Sequence, residues 1–473
     1  MTKTTLLLRD GRALAALAVP LVLTQLAQVA LTTTDTVMMG LLGATDLAAG
    51  GLAIVIFNQL RTMGVGLVTS VGNRIAAAHA RAEAAPDGTG PGTGGSDAEV
   101  RRVVRAGMAV ATLAGLAGAL LMAGAGQVLG LAGQDPEVAD RARTMLFALA
   151  PGLLPCLWFQ AVRQFTVGMR RPQALLRITI ASVAVNAGLD WAFLHGSWGL
   201  PRLGLPGVGL ATTLVHALSF LALYACARRD PVLAPLLALN PARADRATVR
   251  RLLGLGVPIA ATYGSEAGFF SVTALMAGSF GPAALAAHTA VNQLVYIVFQ
   301  VAVGLSHAAS INVSRELALG RFDAARRIRN TALACAAAVM AVVAVVYLAL
   351  PSLVLRPFLD TGAGADAEAV RIATRLLLVV AVLQFFDCAQ NIGVGLLRGL
   401  DDTRSGFRIT LVGYWLVGLP AAGLLGYALD LKTLGVWLAL LAGLATTAVL
   451  LLRRYGRSLA HRSAEGVAEP AAV

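Results

Sequence analysis

The chain has 473 residues, of which 57% are hydrophobic and 13% are charged. Soluble domains carry about 25% charged residues, so this composition excludes an ordinary soluble protein. The formal net charge is +13, but the basic residues lie between apolar runs, which favours membrane topology over nucleic-acid binding as their explanation. The length allows about 12 spans of roughly 20 residues with short connections.

Twelve apolar runs, separated by short polar segments, predict twelve transmembrane helices. The predicted spans are 13–41, 47–73, 103–130, 143–168, 174–196, 205–227, 252–279, 283–310, 331–356, 370–397, 406–429 and 433–453. The predicted fold class is therefore an all-α polytopic membrane protein, and little of the chain remains for a soluble domain.

The distribution of Lys and Arg predicts the orientation of these spans. The termini and every second loop carry 29 of the 38 basic residues, Arg398 among them, and the other loops carry 7. The positive-inside rule then places both termini in the cytoplasm, which requires an even number of spans. We expect a multi-pass protein of the plasma (inner) membrane, and the first residues show no cleavage site for a signal peptide.

The order of the spans predicts five segments. They are a cytoplasmic N-terminus at 1–12, an N-lobe of six spans at 13–227, a cytoplasmic linker at 228–251, a C-lobe of six spans at 252–455 and a cytoplasmic tail at 456–473. Residues 84–99 are rich in Gly, Pro and Ser, which predicts a flexible cytoplasmic insert.

The two halves of the chain resemble each other. A shift of 238 residues aligns Val19-Pro20 with Val257-Pro258, Gly43 with Gly281 and Gly66 with Gly304. Chance similarity between apolar helices is the alternative, but Pro and Gly positions match by chance less easily than Leu and Ala. Because six spans are an even number, the repeats are parallel, and such halves are expected to enclose a central cleft.

Four acids fall inside predicted spans, where an ionisable group is costly and therefore a functional candidate. They are Asp35, Asp190, Glu266 and Asp387. Threonines 32–34 and 36 surround Asp35 and are expected to supply hydroxyl groups. Asn186 shares a helix face with Asp190, and an amide oxygen beside a carboxylate suits Na⁺ or a proton. The alternatives are capping roles for Asp35 and Asp190 near span ends, and structural roles for Glu266 and Asp387.

Other polar residues in the spans predict a substrate cleft. The candidates are Gln25, Gln28, Arg61, Gln293 and Gln384. Arg61 and Arg163 also have other interpretations, because each could pair with an acid or extend to an interface. Pro20 and Pro258 are predicted hinges, although a proline near a span start can simply pack. We find no nucleotide-binding, metal or catalytic pattern, so we expect neither an enzyme nor a cofactor.

These residues, in this order, resemble the multidrug and toxic compound extrusion (MATE) family and its NorM-like branch. The motifs are Pro20…Gln25…Asp35-Thr36-Val37-Met38-Met39-Gly40, Asn186…Asp190, Glu266, Ala286-Ala287-His288, Gly304…Ala308-Ala309-Ser310 and Asp387…Gly395…Arg398-Gly399. The resemblance covers residues 13 to 455. It implies two six-helix bundles around a V-shaped cleft and export of cationic or amphipathic organic compounds in exchange for Na⁺ or H⁺.

The same resemblance implies the roles of individual residues. Asp35, Asn186 and Asp190 would form a cation site in the N-lobe, which Thr212 joins. Glu266 and Asp387 match the acids of the C-lobe in the NorM-like branch, and which lobe couples the ion stays open. Arg163 and the insert depart from the family pattern. Small organic cations and amphiphiles are the expected partners, and the chain is expected to act as a monomer.

Two alternative functions remain at this stage. A lipid-linked oligosaccharide flippase would place Arg61 and Arg163 near a pyrophosphate group. An intramembrane enzyme or receptor is the other, although a hydrolase would require a nucleophile and base that the sequence does not offer.

Overall fold

The computed structural model describes residues 3–84, 93–129, 135–359 and 367–468. These ranges contain α-helices and short helical turns but no β-strand. The α-helices are α1 Lys3–Gly40, α2 Ala44–Ala84, α3 Thr93–Val128, α4 Pro136–Leu149, α5 Leu153–Gly168, α6 Gln173–His195, α7 Leu205–Arg229, α8 Arg246–Gly278, α9 Pro282–Ala318, α10 Phe322–Ala349, α11 Pro351–Leu355, α12 Ala367–Gly399, α13 Thr403–Leu411, α14 Leu419–Gly423 and α15 Lys432–Ala468.

The predicted transmembrane helices are confirmed. Within the described ranges, eleven helical segments are long and apolar enough to cross a membrane, and they correspond to every predicted span except the seventh. The seventh is α8, which has the length but whose apolar run is interrupted by Tyr263, Ser265 and Glu266. Large apolar side chains such as Leu120 and Leu275 are exposed, as a lipid-facing surface requires.

Two of the predicted cytoplasmic segments contain helix. Residues 85–92 of the predicted insert lie outside the described residues, but α3 begins at Thr93, so the prediction of a flexible segment up to residue 99 is wrong. Most of the predicted tail continues α15 as far as Ala468. Residues 469–473 lie outside the described residues.

The eleventh span is irregular. Between α13 and α14 the backbone forms a π-helix at Val412–Gly418, and a second π-helix follows at Leu424–Ala428. Gly413 explains why α15 comes so close here, since a Cβ at this position would lie 3.0 Å from the carbonyl oxygen of Gly443. Single π-helical turns inside α-helices are frequent at functional sites, and this one carries Tyr414.

The chain forms two compact units. One unit is Leu23–Ala261, and the other combines Met1–Val22 with Thr262–Val473. Helices α1 and α8 are therefore each shared, and the boundary falls shortly after Pro20 and shortly after Pro258. The predicted lobes, 13–227 and 252–455, stay a prediction. The compact units differ from these lobes because the first part of α1 belongs to the unit with Thr262–Val473, and the first part of α8 belongs to the unit Leu23–Ala261.

The packing of two glycines supports the internal repeat. A Cβ on Gly66 of α2 would lie 2.7 Å from the Cα of Ala260, and a Cβ on Gly304 of α9 would lie 2.9 Å from the backbone nitrogen of Val22. The shift that relates Gly66 to Gly304 also relates Val22 to Ala260. The two contacts are therefore repeat-equivalent, and each requires a residue without a side chain.

The turns before α2 and α9 repeat as well. Gly43 and Gly281 are aligned by the same shift, and their φ angles are +116° and +107°. Both angles lie in a region that L-residues with a side chain rarely adopt. The match at these positions therefore has a physical cause in the backbone, which chance similarity between apolar helices would not supply.

Candidate functional site

In the unit Leu23–Ala261, three helices bring four predicted residues together. Asn186 of α6 donates hydrogen bonds from Nδ2 to Oδ1 of Asp35 on α1 and, at 2.9 Å, to Oδ2 of Asp190. The Thr212 hydroxyl of α7 donates to Oδ2 of Asp35 at 3.2 Å. All four side chains are buried. We call these four residues the N-terminal acid site.

Local helix geometry explains part of this site. Asn186 and Asp190 are one turn apart on α6, so they share a face. The threonines beside Asp35 do not contribute their hydroxyl groups as expected, because each donates to the backbone carbonyl one turn earlier in α1. The hydroxyl that reaches Asp35 comes instead from Thr212, on another helix.

The N-terminal acid site has spare acceptors. Oδ1 of Asn186 and Oδ1 of Asp190 are buried and accept no hydrogen bond from the described residues. The carboxyl groups of Asp35 and Asp190 lie close together, because the same amide nitrogen of Asn186 donates to both. Two charged carboxylates so close together repel each other, and a proton or a cation bound there would relieve the repulsion. Oxygen atoms of this kind are the ligands that hard cations such as Na⁺ prefer.

The burial of Asp35 and Asp190 tests whether these residues are helix caps near the span ends. Asp35 is 4% exposed and Asp190 is 0% exposed. Helix caps that face water would be accessible, so the interpretation of these residues as interfacial caps is wrong.

A cavity of about 50 Å³ adjoins this site within the same unit. Asp35 and Thr212 contribute to its wall, as do the predicted cleft residues Gln28 and Arg61. Phe57, Phe159 and His216 add an aromatic side, and Phe57 and His216 stack with ring centroids 5.9 Å apart. The cavity therefore presents a carboxylate, a guanidinium and aromatic rings together.

The unit that contains Thr262–Val473 holds the second pair of acids. Glu266 of α8 accepts hydrogen bonds at Oε1 from the Tyr414 hydroxyl at 3.1 Å and from Nε2 of Gln390 at 3.4 Å. Asp387 of α12 is buried and accepts from Nδ2 of Asn391 at 3.2 Å. The two acids are close enough to interact electrostatically. We call these five residues the C-terminal acid site.

Neither Tyr414 nor Arg398 was among the predicted site residues, although Arg398 is part of the motif that contains Asp387. Tyr414 reaches Glu266 across almost 150 residues of sequence, and no local pattern announces the contact. Arg398 was counted with the cytoplasmic loops, but it is buried and donates to the hydroxyl groups of Tyr263 at 3.2 Å and Ser306 at 3.0 Å. It also acts electrostatically on Glu266. Its place within the apolar end of α12 is the signal that could have revealed it.

The remaining predicted residues are dispersed. Gln25 accepts a hydrogen bond from Nη2 of Arg163 at 3.4 Å, and Arg163 also donates to Gln160 at 3.1 Å. Arg163 is 2% exposed, so it does not extend to an interface. Gln384 donates to the Tyr347 hydroxyl at 3.3 Å, and Gln293 is half-buried on α9. These two glutamines belong to the other unit and do not line the 50 Å³ cavity.

Apolar helices long enough to cross a membrane, with acids buried among them, define this chain as a multi-pass membrane protein. Comparison with known proteins identifies the family. The MatE family profile matches residues 94–192 and 258–424. The "Probable multidrug resistance protein NorM" of Pseudomonas aeruginosa is 38% identical over 439 residues, which cover 93% of this chain and 87% of that protein.

Solved structures show the same fold. The eukaryotic MATE transporter AtDTX14 has a TM-score of 0.80 at 20% identity, covering 97% of this chain and 99% of that one. A MATE in complex with MaL6 has a TM-score of 0.84 at 17% identity, covering 98% and 99%. The chain therefore belongs to the MatE family of membrane transporters, in its NorM-like branch, and the predicted resemblance is confirmed.

Proposed function

We propose that this chain is a secondary active multidrug efflux transporter that exchanges cationic or amphipathic organic compounds for Na⁺ or H⁺ by alternating access. The observation that carries the proposal is the N-terminal acid site. Its two carboxyl groups cannot both stay charged and unpaired, and its two spare buried oxygens suit a cation. The relatives named as multidrug resistance proteins support the choice of cargo.

Exchange follows if ion and cargo compete for the same carboxylates. A Na⁺ ion or proton neutralises Asp35 and Asp190, which removes the charge that attracts an organic cation. Coupling then requires that the two cargoes favour different conformations of the protein. The ion gradient drives the exchange, and the membrane potential adds about 2.3 kcal/mol per 100 mV for each net elementary charge that moves inward.

Conformational change has two natural hinge points. Pro20 and Pro258 interrupt the backbone hydrogen bonding of α1 and α8, and the boundary between the compact units falls shortly after each of them. We propose that α1 and α8 bend at these prolines between the two access states. We further propose that the chain acts as a monomer in the plasma (inner) membrane, with both termini in the cytoplasm.

The flippase alternative has weaker support. Arg163 donates to the amide oxygens of Gln25 and Gln160, and only Arg61 of the two arginines lines the cavity. One guanidinium is a poor match for a pyrophosphate, and the match to NorM proteins favours drug export.

Transport in proteoliposomes tests the proposal. The purified protein is reconstituted into liposomes, and the liposomes are loaded with ethidium. A Na⁺ gradient and a pH gradient are then applied in separate experiments. We expect efflux under at least one gradient and its loss when that gradient is collapsed. Absence of ethidium movement under both gradients, with the protein shown to be inserted, would reject multidrug exchange and reopen the flippase alternative.

A further inference from the structure

A second cavity lies in the unit Leu23–Ala261, separate from the one beside the N-terminal acid site. Its volume is about 230 Å³, and its wall includes Arg74 of α2, Arg102 of α3 and Arg251 of α8. None of the described residues that line it also lines the 50 Å³ cavity. Three guanidinium groups from three helices therefore border one space, and each is charged at every physiological pH. We call these three residues and the space between them the arginine pocket.

The single acid among the described residues of the pocket wall is already paired. Both carboxylate oxygens of Glu99 accept hydrogen bonds of 3.0 Å from Nη2 of Arg81, which does not itself line the pocket. Because Arg81 offsets the charge of Glu99, this acid contributes little towards neutralising the three arginines. The wall of the arginine pocket therefore has a net positive charge.

The neighbouring acid is engaged with the start of α8. Oδ2 of Asp245 accepts hydrogen bonds from the backbone nitrogen and the hydroxyl group of Thr248, at 2.9 and 2.6 Å. Arg102 acts electrostatically on Asp245, but neither Arg102 nor Arg251 forms an ion pair with an acid in the described ranges. Like charges around one space repel each other, so an anion bound among these guanidinium groups would lower their electrostatic energy.

The length of α2 indicates where the arginine pocket lies in the membrane. Ala44, the first residue of α2, and Arg74 are 30 positions apart, which corresponds to about 45 Å along a helix. A bilayer with its headgroups is about 40–45 Å thick. Arg74 therefore lies at the level of the headgroups when the start of α2 lies at the opposite surface. This is the side that the positive-inside rule places in the cytoplasm, where the leaflet contains anionic lipids.

The chemistry of the pocket matches a phosphate ester. A planar guanidinium binds phosphate oxygens through two parallel hydrogen bonds. Val103 and Leu252 are buried apolar residues of the same wall, and they would pack against the glycerol end of a lipid. Drug sites measure about 300–1,000 Å³, so a cavity of 230 Å³ suits a headgroup better than a cargo molecule.

We propose that the arginine pocket binds the phosphate group of an anionic phospholipid such as phosphatidylglycerol. The bound lipid would hold the first part of α8 against α2 and α3, because each of these helices supplies one of the three arginines. The pocket is separate from the acid sites, so this inference does not depend on the proposed exchange reaction.

Lipid binding to the purified full chain tests the assignment. Native mass spectrometry counts bound lipids while phosphatidylglycerol and phosphatidylcholine are titrated separately at the same ionic strength. Both lipids contain a phosphodiester, but the choline group of the second one cancels its charge. Inorganic phosphate is the soluble probe, and its binding is measured by equilibrium dialysis of the radiolabelled ion.

A matched pair of double variants separates the pocket from the basic surface around it. The test variant combines Arg102→Gln with Arg251→Gln. The control combines Arg101→Gln with Arg250→Gln, which removes two charges from the same two helices, one position away from the pocket wall. A diffuse attraction to the basic surface would depend on both pairs equally, whereas a pocket depends on the first pair.

We expect wild-type protein to bind phosphatidylglycerol about tenfold more tightly than phosphatidylcholine. The test variant should bind phosphatidylglycerol about ten- to thirtyfold more weakly, and the control less than about threefold more weakly. Arg102→Lys combined with Arg251→Lys keeps the charge but loses the paired geometry, so its affinity should fall between those of the wild type and the test variant. If the test variant does not fold, a larger loss in the Lys variant than in the control still supports the pocket.

Three results would overturn the inference. The first is equal affinity of the wild type for the two lipids, because charge recognition would then be absent. The second is an equal change of affinity for phosphatidylglycerol in the test variant and the control, which would show a diffuse surface effect. The third is binding of inorganic phosphate to the wild type as tightly as phosphatidylglycerol, which would assign the pocket to a soluble anion.

Discussion

The two acid sites differ in how their carboxyl groups are satisfied. In the N-terminal acid site one amide, Asn186, donates to both acids, and two buried oxygens accept nothing from the described residues. In the C-terminal acid site Glu266 has Tyr414 and Gln390 as neutral donors, and Asp387 has Asn391. The buried Arg398 adds a fixed positive charge near Glu266.

This difference suggests different roles in the exchange reaction. The first site has two buried oxygens that accept nothing from the described residues, so a cation gains most there, even with Arg61 in the wall of the adjoining cavity. The second site already has donors and a nearby guanidinium, which reduce its need for a cation. We therefore expect the N-terminal acid site to bind the coupling ion. We expect efflux to fall less when an acid of the C-terminal acid site is replaced by a neutral residue.

The largest effect is expected for Asp35→Asn. The substitution keeps the shape of the side chain but removes the charge that a cation or proton would neutralise. Gradient-driven ethidium efflux in proteoliposomes should fall about hundredfold or more, since a lost charge-assisted contact in a buried site costs several kcal/mol. The variant should still insert, as judged by its elution profile. Unimpaired efflux by an inserted Asp35→Asn protein would eliminate the N-terminal acid site as the coupling site.

Asn186→Ala should have the next largest effect. Without Nδ2 the two acids lose their shared donor, and without Oδ1 the site loses a spare oxygen. We expect ion-driven efflux to fall about tenfold, with a higher concentration of coupling ion needed for half-maximal rate. Gln173→Ala is a suitable control, because this exposed amide lies on the same helix and does not line the cavity. An ion dependence that is the same in Asn186→Ala and the wild type would contradict the assignment.

Glu266→Gln should have a smaller effect than Asp35→Asn. A glutamine oxygen can still accept from Tyr414 and Gln390, so the packing of the site survives. We expect efflux to fall no more than about tenfold. Tyr414→Phe removes one of the two donors, and its efflux should fall by a similar factor. The rates are measured with the assay used for Asp35→Asn. If Glu266→Gln abolishes efflux and Asp35→Asn does not, the roles of the two sites are reversed.

The smallest expected effect concerns stability. In Gly66→Ala the new methyl group would lie 2.7 Å from the Cα of Ala260, which is backbone and cannot move aside cheaply. We expect a cost of about 1–3 kcal/mol, seen as a Tm lower by about 1–3 °C in detergent for a chain of this length. Gly51→Ala on the same helix meets nothing within 4 Å and is the matched control. Equal Tm values for the two variants would contradict the close contact between α2 and the first part of α8.

Much of the architecture could be predicted because it depends on local sequence patterns such as apolar runs and glycine positions. Hydropathy located the spans to within several residues at most ends, and the repeat was visible because Gly43 and Gly281 are required by backbone conformation. The acids were recognisable because a charge is rare and costly in an apolar run. The helical continuation from Thr93 was missed, since glycine-rich composition indicates flexibility more readily than helix.

The sequence by itself determined the number of spans, the internal repeat and the identity of the buried acids, since each depends on residues that are near one another or on a charge in an apolar segment. Only the tertiary structure decided that Tyr414 contacts Glu266, that Arg398 is buried, that Arg61 shares a cavity with Asp35 and that α1 and α8 each divide between two units. These features depend on which faces of distant helices meet. Helix packing determines such contacts, and the local hydrophobic periodicity of the sequence does not predict them.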